Sequence, residues 1–351
     1  MIDDLLNTLL SANELSEIGS LTTYNYYFHG LTVSVISNSL AILEAIDGLL
    51  GYFRVDPVAE TGELSFCLLH NPSSIMARHP EVRNNGELLF DSRYDSERKV
   101  GIDFQYYAWD HYQVADFGLL GSYLVDIPKG QMVGLFPDPL LIHPRILSNN
   151  IFITAFTEML RARDLFLVHG GAVVRAGRGV LIPGYSGSGK TTLSLALVRR
   201  GFQFLADDRP VLKKEGAGFS LLAFPEAIDV TDKTISLIPE LRDLPESFFN
   251  RGLRKKSFWV EDVYPETIVD RCQVEILLFP KISAGSESRL LPLTKIEAIT
   301  RLLPHSLLVL NKKAADRQFD RLCQLVDTLS CYELEAGGDM LDVNHLLTEI
   351  V

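Results

Sequence analysis

The chain has 351 residues, of which 47% are apolar and 22% are charged, and its 33 Lys and Arg against 45 Asp and Glu give a formal net charge of −12. This is an ordinary soluble composition, and at about 150 residues per domain the length predicts two domains that need no disulfide or metal for stability. The acidic balance excludes nucleic-acid binding by bulk charge, because affinity for a phosphate backbone requires clustered Lys and Arg. Any anion that the protein binds must therefore meet a local site.

The first residues and the cysteines indicate the compartment. Asp3 and Asp4 stand where an export signal would carry basic residues, and no apolar run approaches the roughly 18 residues of a membrane span. Four cysteines are too widely spaced for a thiolate metal site and fit small hydrophobic residues in a reducing compartment, namely Cys67, Cys272, Cys323 and Cys331. We therefore expect a cytoplasmic protein with no membrane partner.

Residues 1–145 predict a β-rich α+β domain. An acidic N-terminal helix precedes a strand pair in YNYYFHGLTVSVIS and a helix in SLAILEAIDGLLGYF. Strand-like runs separated by turn residues then continue to about Val133, namely LSFCLLH, ELLFDSRYD, KVGIDFQYYAWD and SYLVDIP. The aromatic run FQYYAWDHY at residues 104–112 fits a packed β-hairpin better than a peptide-recognition patch. We expect a mostly antiparallel sheet, with substrate recognition as one role open to the domain.

Residues 146–351 predict an α/β domain around a mixed sheet, with the boundary within residues 139–150. A helix at 151–163 leads into apolar strands in FLVHGGAVVR, GVLIP, FQFLA and VEILLFP. Helical periodicity appears at residues 191–200, 294–303 and 314–330, and Gly201 stands where a glycine ends the first of these helices. Strands that alternate with helices in this way indicate layers of helix packed on a sheet.

A complete phosphate-binding loop (P-loop) lies in GVLIPGYSGSGKTTLSLALVRRG, between a predicted strand and a predicted helix. Its glycines allow the backbone N–H groups to point at phosphate oxygens, and the helix start adds a positive dipole end. Lys190 can then bridge the β- and γ-phosphates, and the Thr191 hydroxyl can bind Mg²⁺. The nucleotide-binding residues predicted here are Gly184, Tyr185, Ser186, Gly187, Ser188, Gly189, Lys190, Thr191 and Thr192.

Two adjacent acids end the strand FQFLADD, directly after the P-loop helix. A helix of about three turns returns Asp207 and Asp208 to the phosphates, and strand alternation points them in opposite directions. One acid can thus support Mg²⁺ while the other accepts a proton from an acceptor hydroxyl as general base. A solvated turn is the alternative for the pair. His169, at the end of LFLVH, is either a structural residue or a hydrogen-bonding partner of Asp207.

The segments VHGGAVV, GVLIPGYSGSGKT and FQFLADDRPVL together resemble the core of the HPr kinase/phosphorylase family and its HPr-kinase-related relatives, over about residues 165–212. The resemblance implies a P-loop domain similar to phosphoenolpyruvate carboxykinase, and transfer of phosphate from ATP to a serine hydroxyl. It also implies that Asp207 acts as the base and that Lys190 contacts the phosphates. Thr191 and Asp208 would bind Mg²⁺, and His169 would lie near Asp207. Because HPr kinases form rings, the resemblance also allows a homo-oligomer.

The sequence departs from that family after the acid pair. Bacterial HPr enzymes carry a glutamate followed by a glycine-rich signature of the form E-I-R-G-L-G, whereas AFPEAIDV stands at the approximate position here. Glu226 can take the place of that glutamate, and we expect it to be a further Mg²⁺ ligand, but the glycines are missing. We therefore expect an acceptor other than HPr itself.

A basic stretch, RGLRKK, lies between aromatic residues in this otherwise acidic chain. Its cations are Arg251, Arg254, Lys255 and Lys256. Two interpretations are equally open: a mobile loop that brings a cation to the γ-phosphate during transfer, or a solvated basic loop.

The leading prediction for function is an ATP- and Mg²⁺-dependent kinase for a serine-type hydroxyl in a protein or peptide. The P-loop, Thr191 and the acids would position the phosphates and neutralise their charge, and Asp207 would supply the base. One alternative is a kinase for a small-molecule hydroxyl, since local spacing does not define the acceptor pocket. The other is a non-catalytic ATP-binding sensor or scaffold, which the intact acid pair disfavours.

Overall fold

The computed structural model of the protein describes residues 2–56, 62–94, 102–138, 142–245, 247–250, 253–305 and 310–348. The chain divides into two compact units, the first comprising Met1–Arg163 and Val309–Ala314 and the second Asp164–Leu308 and Ala315–Val351. The division lies later than the boundary predicted at residue 145. The reason is the helix Ile153–Arg161, whose Phe156 ring packs edge-on against Phe28 in the first unit at 5.0 Å.

The first unit is built on one nine-stranded sheet. Its strands are β1 (Thr22–Phe28), β2 (Leu31–Ser37), β3 (Arg54–Val55), β4 (Leu64–His70), β5 (Glu87–Asp91), β6 (Gln105–Trp109), β7 (Tyr112–Asp116), β8 (Ser122–Asp126) and β9 (Gln131–Phe136). Its helices are α1 (Ile2–Leu9), α2 (Ala12–Glu17), α3 (Leu40–Leu50), α4 (Ile75–Arg78), α5 (Glu81–Asn85), α6 (Pro144–Ile146) and α7 (Ile153–Arg161), with a π-helical segment at Leu147–Phe152.

The strand order in this sheet is β3-β1-β2-β4-β9-β8-β7-β6-β5. The pairs β2–β4 and β4–β9 are parallel and the other pairs on this path are antiparallel, so the expectation of a mostly antiparallel sheet is confirmed. The strands β7 and β9 were not predicted as separate elements. The run FQYYAWDHY contains β6 and the turn of the hairpin β6–β7, and Tyr106 and Tyr107 are buried, so the packed-hairpin interpretation is confirmed.

The second unit contains a larger and a smaller sheet. Its strands are β10 (Leu165–Leu167), β11 (Gly170–Arg175), β12 (Arg178–Pro183), β13 (Gln203–Ala206), β14 (Val211–Glu215), β15 (Gly218–Leu222), β16 (Ile228–Thr231), β17 (Ser247–Asn250), β18 (Leu253–Phe258), β19 (Arg271–Ile282), β20 (Arg289–Pro292) and β21 (Ser330–Ala336). Its helices are α8 (Lys190–Arg199), α9 (Asp232–Leu237), α10 (Val260–Val263), α11 (Lys295–Leu302), α12 (Lys312–Thr328, whose first turn lies in the first unit) and α13 (Asn344–Thr348).

The larger sheet has the order β10-β14-β15-β19-β12-β11-β13, with β21 beside β19 and β20 beside β21. Since β12 and β21 run parallel to β19 and the other pairs are antiparallel, the predicted mixed sheet is confirmed. The run FLVHGGAVVR was expected as one strand, but the chain leaves β10 and enters β11 at His169. The two halves pair with different partners, β14 and β12, which explains the break.

Both faces of the larger sheet are buried. Side chains on β11 alternate, so that Val173 packs in a cluster with the α8 residues Leu193 and Leu197, while Val174 faces a cluster that includes Leu302 of α11 and Leu325 of α12. Helices on both faces explain why these strands are almost continuously apolar. None of the helices in the described part of the chain combines the length and the apolar composition needed to cross a membrane.

Candidate active site

The P-loop has the predicted arrangement of strand, loop and helix. β12 ends at Pro183, the loop turns over residues 184–189, and α8 begins at Lys190. Gly187 and Gly189 adopt left-handed backbone angles, with φ of 86° and 97°. Only glycine takes these angles without strain, so the glycine spacing of the motif follows directly from the turn.

Lys190 lies inside the loop rather than in solvent. Its side chain is 7% exposed, and its Nζ donates to the carbonyl oxygens of Gly184 at 2.6 Å and Tyr185 at 3.1 Å. Burial lowers the pKa of Lys190, and the nearby charges of Asp208 and Asp207 oppose that change. The loop therefore holds an ammonium group at its centre, where a phosphate group can replace the two carbonyls as its partner.

The first acid of the pair contacts the P-loop helix. Asp207 follows the last residue of β13, and its Oδ2 accepts a hydrogen bond from the Thr191 hydroxyl at 3.0 Å. Burial raises the pKa of Asp207 to about 6, and the negative charge of Asp208 acts in the same direction. At neutral pH the carboxylate is thus ionised but more basic than a solvated one, which suits a proton acceptor.

The second acid pairs with His169. The His169 Nδ1 lies 2.8 Å from Asp208 Oδ1, so the expectation that His169 pairs with Asp207 was wrong. Alternation points the two acids in different directions, but the backbone path after β13 decides which of them meets His169. Burial alone would raise the pKa of Asp208, but the hydrogen bond and charge of His169, and the charge of Arg209, hold it well below its usual value.

Glu226 lies beside the acid pair, joined to it through Arg209. The Nη1 of Arg209 donates to Glu226 Oε2 at 2.9 Å, and its Nη2 lies 3.7 Å from Asp208 Oδ2. Burial raises the pKa of Glu226 to about 7. The positive charge of Arg209 acts against this rise, and the negative charges of Asp208 and Asp207 add to it. Arg209 was not predicted as a site residue, although its position directly after the acid pair was an available signal.

Three buried oxygens in this region have no hydrogen-bond partner among the residues that the structure describes: Ser188 Oγ, Asp207 Oδ1 and Glu226 Oε1. Unpartnered buried oxygens are costly in a native protein and indicate a missing ligand, water or ion. Within the described ranges, no group of three or more His, Cys, Asp or Glu side chains forms a metal cage. Mg²⁺ needs no such cage where substrate phosphates complete its ligands, so the residues present fit it.

The basic stretch is part of a β-hairpin rather than a loop. Arg254, Lys255 and Lys256 lie on β18, which pairs with β16 and β17, whereas Arg251 lies outside the described residues. Lys256 Nζ donates to the carbonyls of Arg242 at 3.0 Å and Leu244 at 2.5 Å. Neither loop interpretation holds for the three described cations.

Two further residues near the P-loop escaped prediction. The hydroxyl oxygen of Thr234 in α9 lies 2.9 Å from that of Thr192 and so joins α9 to the P-loop helix. His305 accepts a hydrogen bond at its carbonyl from the His169 main-chain N–H at 2.8 Å, and its ring is buried. No sequence signal marked either residue, because each reaches the loop only through the tertiary fold.

Comparisons with known proteins indicate the family that this part of the chain resembles. Residues 163–228 match the family model of the HPr Serine kinase C-terminal domain, a segment that contains His169, the P-loop, the acid pair and Glu226. The chain is similar to the HPr kinase/phosphorylase of Geobacillus sp. strain WCH70, at 44% identity over 62 residues, which are 18% of this chain and 20% of that protein. It is also similar to the HPr kinase/phosphorylase of Geobacter sulfurreducens, at 42% identity over 79 residues, 22% of this chain and 24% of that protein.

The curated relatives match only part of their own length and only part of this chain. The chain spans only a fifth to a quarter of the length of these two curated relatives. The solved structure of the Hpr(Ser) kinase/phosphatase from Coxiella burnetii aligns with 34% of this chain and 59% of that chain, at 22% identity and a TM-score of 0.25. The core at residues 163–228 is therefore HPr-kinase-like, as the sequence resemblance predicted, and the relatives that share it are phosphotransferases.

Proposed function

We propose that the protein is an ATP- and Mg²⁺-dependent kinase that phosphorylates a serine-type hydroxyl of a protein or peptide other than HPr. The observation that carries the proposal is the 3.0 Å contact between Thr191 of the P-loop helix and Asp207. It joins a phosphate-binding element to a buried carboxylate whose pKa is raised to about 6. A P-loop alone would support nucleotide binding, whereas this pairing also supplies a proton acceptor beside the phosphates.

The loop residues would bind the triphosphate. The backbone N–H groups of residues 184–189 would donate to phosphate oxygens, and Lys190 would exchange its contacts with the loop carbonyls for contacts with the β- and γ-phosphates. Thr191, Asp208 and Glu226 are the residues that would hold Mg²⁺, whose role when bound is to neutralise charge on the phosphates. The Oε1 of Glu226 is available for this, since Arg209 occupies only Oε2.

Asp207 would act on the acceptor. In the transfer step the acceptor hydroxyl oxygen forms a bond to the γ-phosphorus, and the bond from that phosphorus to the bridging oxygen of ADP breaks. The hydroxyl proton moves to the Asp207 carboxylate, which keeps one buried oxygen free of partners in the described part of the chain. His169 would act on Asp208 instead, holding that carboxylate ionised and fixed in orientation.

The test compares two variants in one assay. Asp207→Asn should retain ATP binding but lose about 10²- to 10⁴-fold in transfer, because general-base catalysis contributes about that much. Lys190→Ala should weaken ATP binding itself. The exposed Asp232→Asn, which removes one carboxylate from the first turn of α9, is the matched control and should behave as wild type.

The acceptor is found by incubating the protein with labelled ATP and candidate serine-containing peptides, followed by mass spectrometry of the products. Normal transfer by Asp207→Asn would contradict the assigned base. Label on free amino acids or sugars, with none on peptides, would favour a small-molecule kinase. Label in free phosphate alone, under every condition, would favour an ATPase or a nucleotide sensor.

A further inference from the structure

A cavity of about 280 Å³ opens beside the P-loop, within the second unit. Much of its wall is apolar, formed by Pro183 at the end of β12, Phe279 and Pro280 of β19, and Pro304. Its volume is close to the lower limit of small-molecule sites, which span about 300–1,000 Å³. The cavity is therefore suited to part of a small ligand rather than to a protein surface.

Two aromatic side chains form one side of this cavity. The Tyr185 ring, on the P-loop itself, is 66% exposed and meets the His305 ring edge-on at 4.6 Å between centroids. His305 is only 4% exposed, and burial lowers its pKa to about 4, helped by His169 and Lys190, so its ring is neutral at pH 7. An exposed ring beside a neutral buried ring offers a flat aromatic ligand a surface to pack against.

The cations at the cavity are paired with carboxylates. Lys281 and Arg301 line it, and both pair with Glu333, which is 7% exposed; the Lys281 Nζ lies 3.3 Å from Glu333 Oε1. Lys281 also lies 3.3 Å from Glu335. Because each of the two cations is already paired with a carboxylate, neither is left to recognise a phosphate or a carboxylate of a ligand, and the chemistry favours a neutral ligand.

The sheet order places the cavity relative to the acid pair. Four strands of the larger sheet run in the same direction and end at the same edge. β12 and β21 are both parallel to β19. β13 also runs in the direction of β12, because each of the two is antiparallel to β11. The strands that contribute to the cavity, β19 and β21, lie on one side of β12. Asp207 follows β13, on the other side. A triphosphate in the P-loop would thus lie between the cavity and Asp207.

We propose that this cavity binds the base and ribose of the nucleotide whose phosphates occupy the P-loop, with Tyr185 and His305 against the base. The inference rests on the proposed function, since it assigns the nucleoside end of the same ligand. A nucleoside has the required chemistry, being flat at the base, uncharged at pH 7 and able to hydrogen-bond at its edges. The acceptor hydroxyl would then approach from the Asp207 side.

The test fills the cavity without touching the P-loop. Thr300 of α11 lines the cavity and is exposed, so Thr300→Trp places an indole in the cavity without disturbing the core. Ile296→Trp is the matched control: Ile296 lies one turn earlier, is 78% exposed and does not line the cavity. Helical side chains lean toward the N-terminus, so the control indole points away from the cavity.

Binding of ATP and of inorganic triphosphate is measured by calorimetry with Mg²⁺ for wild type and both variants. Wild type should bind ATP more tightly than triphosphate. Thr300→Trp should lose about tenfold or more in ATP affinity while its triphosphate affinity stays within about twofold, and the control should match wild type. Retained triphosphate binding also reports an intact P-loop, and so a folded second unit.

Three results would overturn the inference: equal affinity of wild type for ATP and triphosphate, unchanged ATP affinity in Thr300→Trp, or an equal loss for both ligands in that variant. Failure of the proposed function looks different. In that case no peptide would receive label from ATP under any condition, whatever the effect of filling the cavity on ATP affinity.

Discussion

Replacing Glu226 with glutamine should remove a pH dependence of stability that this carboxyl group imposes on the second unit. Glu226 is 9% exposed, and its Oε2 accepts a hydrogen bond from Arg209. Burial raises its pKa from 4.5 to about 7, despite the charge of Arg209. Glutamine has the same shape and can still accept that hydrogen bond, but it carries no charge at any pH.

The sign and size follow from linkage between proton binding and folding. The native state holds the Glu226 proton up to about pH 7, whereas the unfolded chain releases it near pH 4.5. The contribution to stability is therefore fully present below pH 4.5 and is lost as the pH rises through 7. Since each tenfold change in proton affinity is worth about 1.4 kcal/mol, wild type should lose about 3 kcal/mol relative to Glu226→Gln between pH 4.5 and 8.

The two tryptophans allow each unit to be observed separately. Trp259 lies in the second unit and Trp109 in the first, so the emission of a Trp109→Phe background reports the second unit alone. Guanidinium unfolding would be followed in EDTA at pH 5, 6, 7 and 8. Glu275→Gln, which removes a carboxylate that is 41% exposed, is the control and should stay parallel to wild type. If the Glu226→Gln and wild-type stabilities also run parallel over this range, burial does not raise the pKa of Glu226.

Three further predictions concern packing and backbone. Arg161→Met should destabilise the first unit by about 3–5 kcal/mol, because it leaves the Glu158 carboxylate buried without its 2.6 Å partner; an unfolding midpoint unchanged by the substitution would contradict this. Gly121→Ala should cost at least about 1–2 kcal/mol in the same assay, since its φ is 129° and an added Cβ would lie 2.5 Å from a backbone oxygen. Thr234→Val should cost the second unit about 1–3 kcal/mol by leaving the buried Thr192 hydroxyl without its main partner, and adding Thr192→Val should recover part of that loss. Strictly additive losses in the double variant would show that the two hydroxyls are not coupled.

Much of the second unit could be predicted because its signals are local. The P-loop is eight consecutive residues, and the strand and helix around it follow from apolar periodicity over neighbouring positions. The acid pair could be placed near the phosphates because a single short helix separates it from the loop. In the first unit, the run LSFCLLH coincides with β4, since an uninterrupted apolar run between turn residues is typical of a buried strand.

The errors arise where partners are distant in sequence or differ by one residue. His169 was assigned to Asp207 and pairs with Asp208, because the direction of a side chain after a strand end depends on the local backbone path. The basic stretch was expected as a loop, yet β18 gains its pairing from β16, more than twenty residues earlier in the chain.

The sequence by itself determined the strand, loop and helix of the P-loop, because backbone geometry within a few adjacent residues is enough to build it. Only the tertiary structure decided what surrounds that loop: the Arg209–Glu226 pair, the contact of Thr234 with Thr192, and the cavity where His305 meets Tyr185. These contacts depend on the order in which β19, β12, β11 and β13 lie side by side. Strand order is set by the packing of whole layers and leaves no pattern in any one segment.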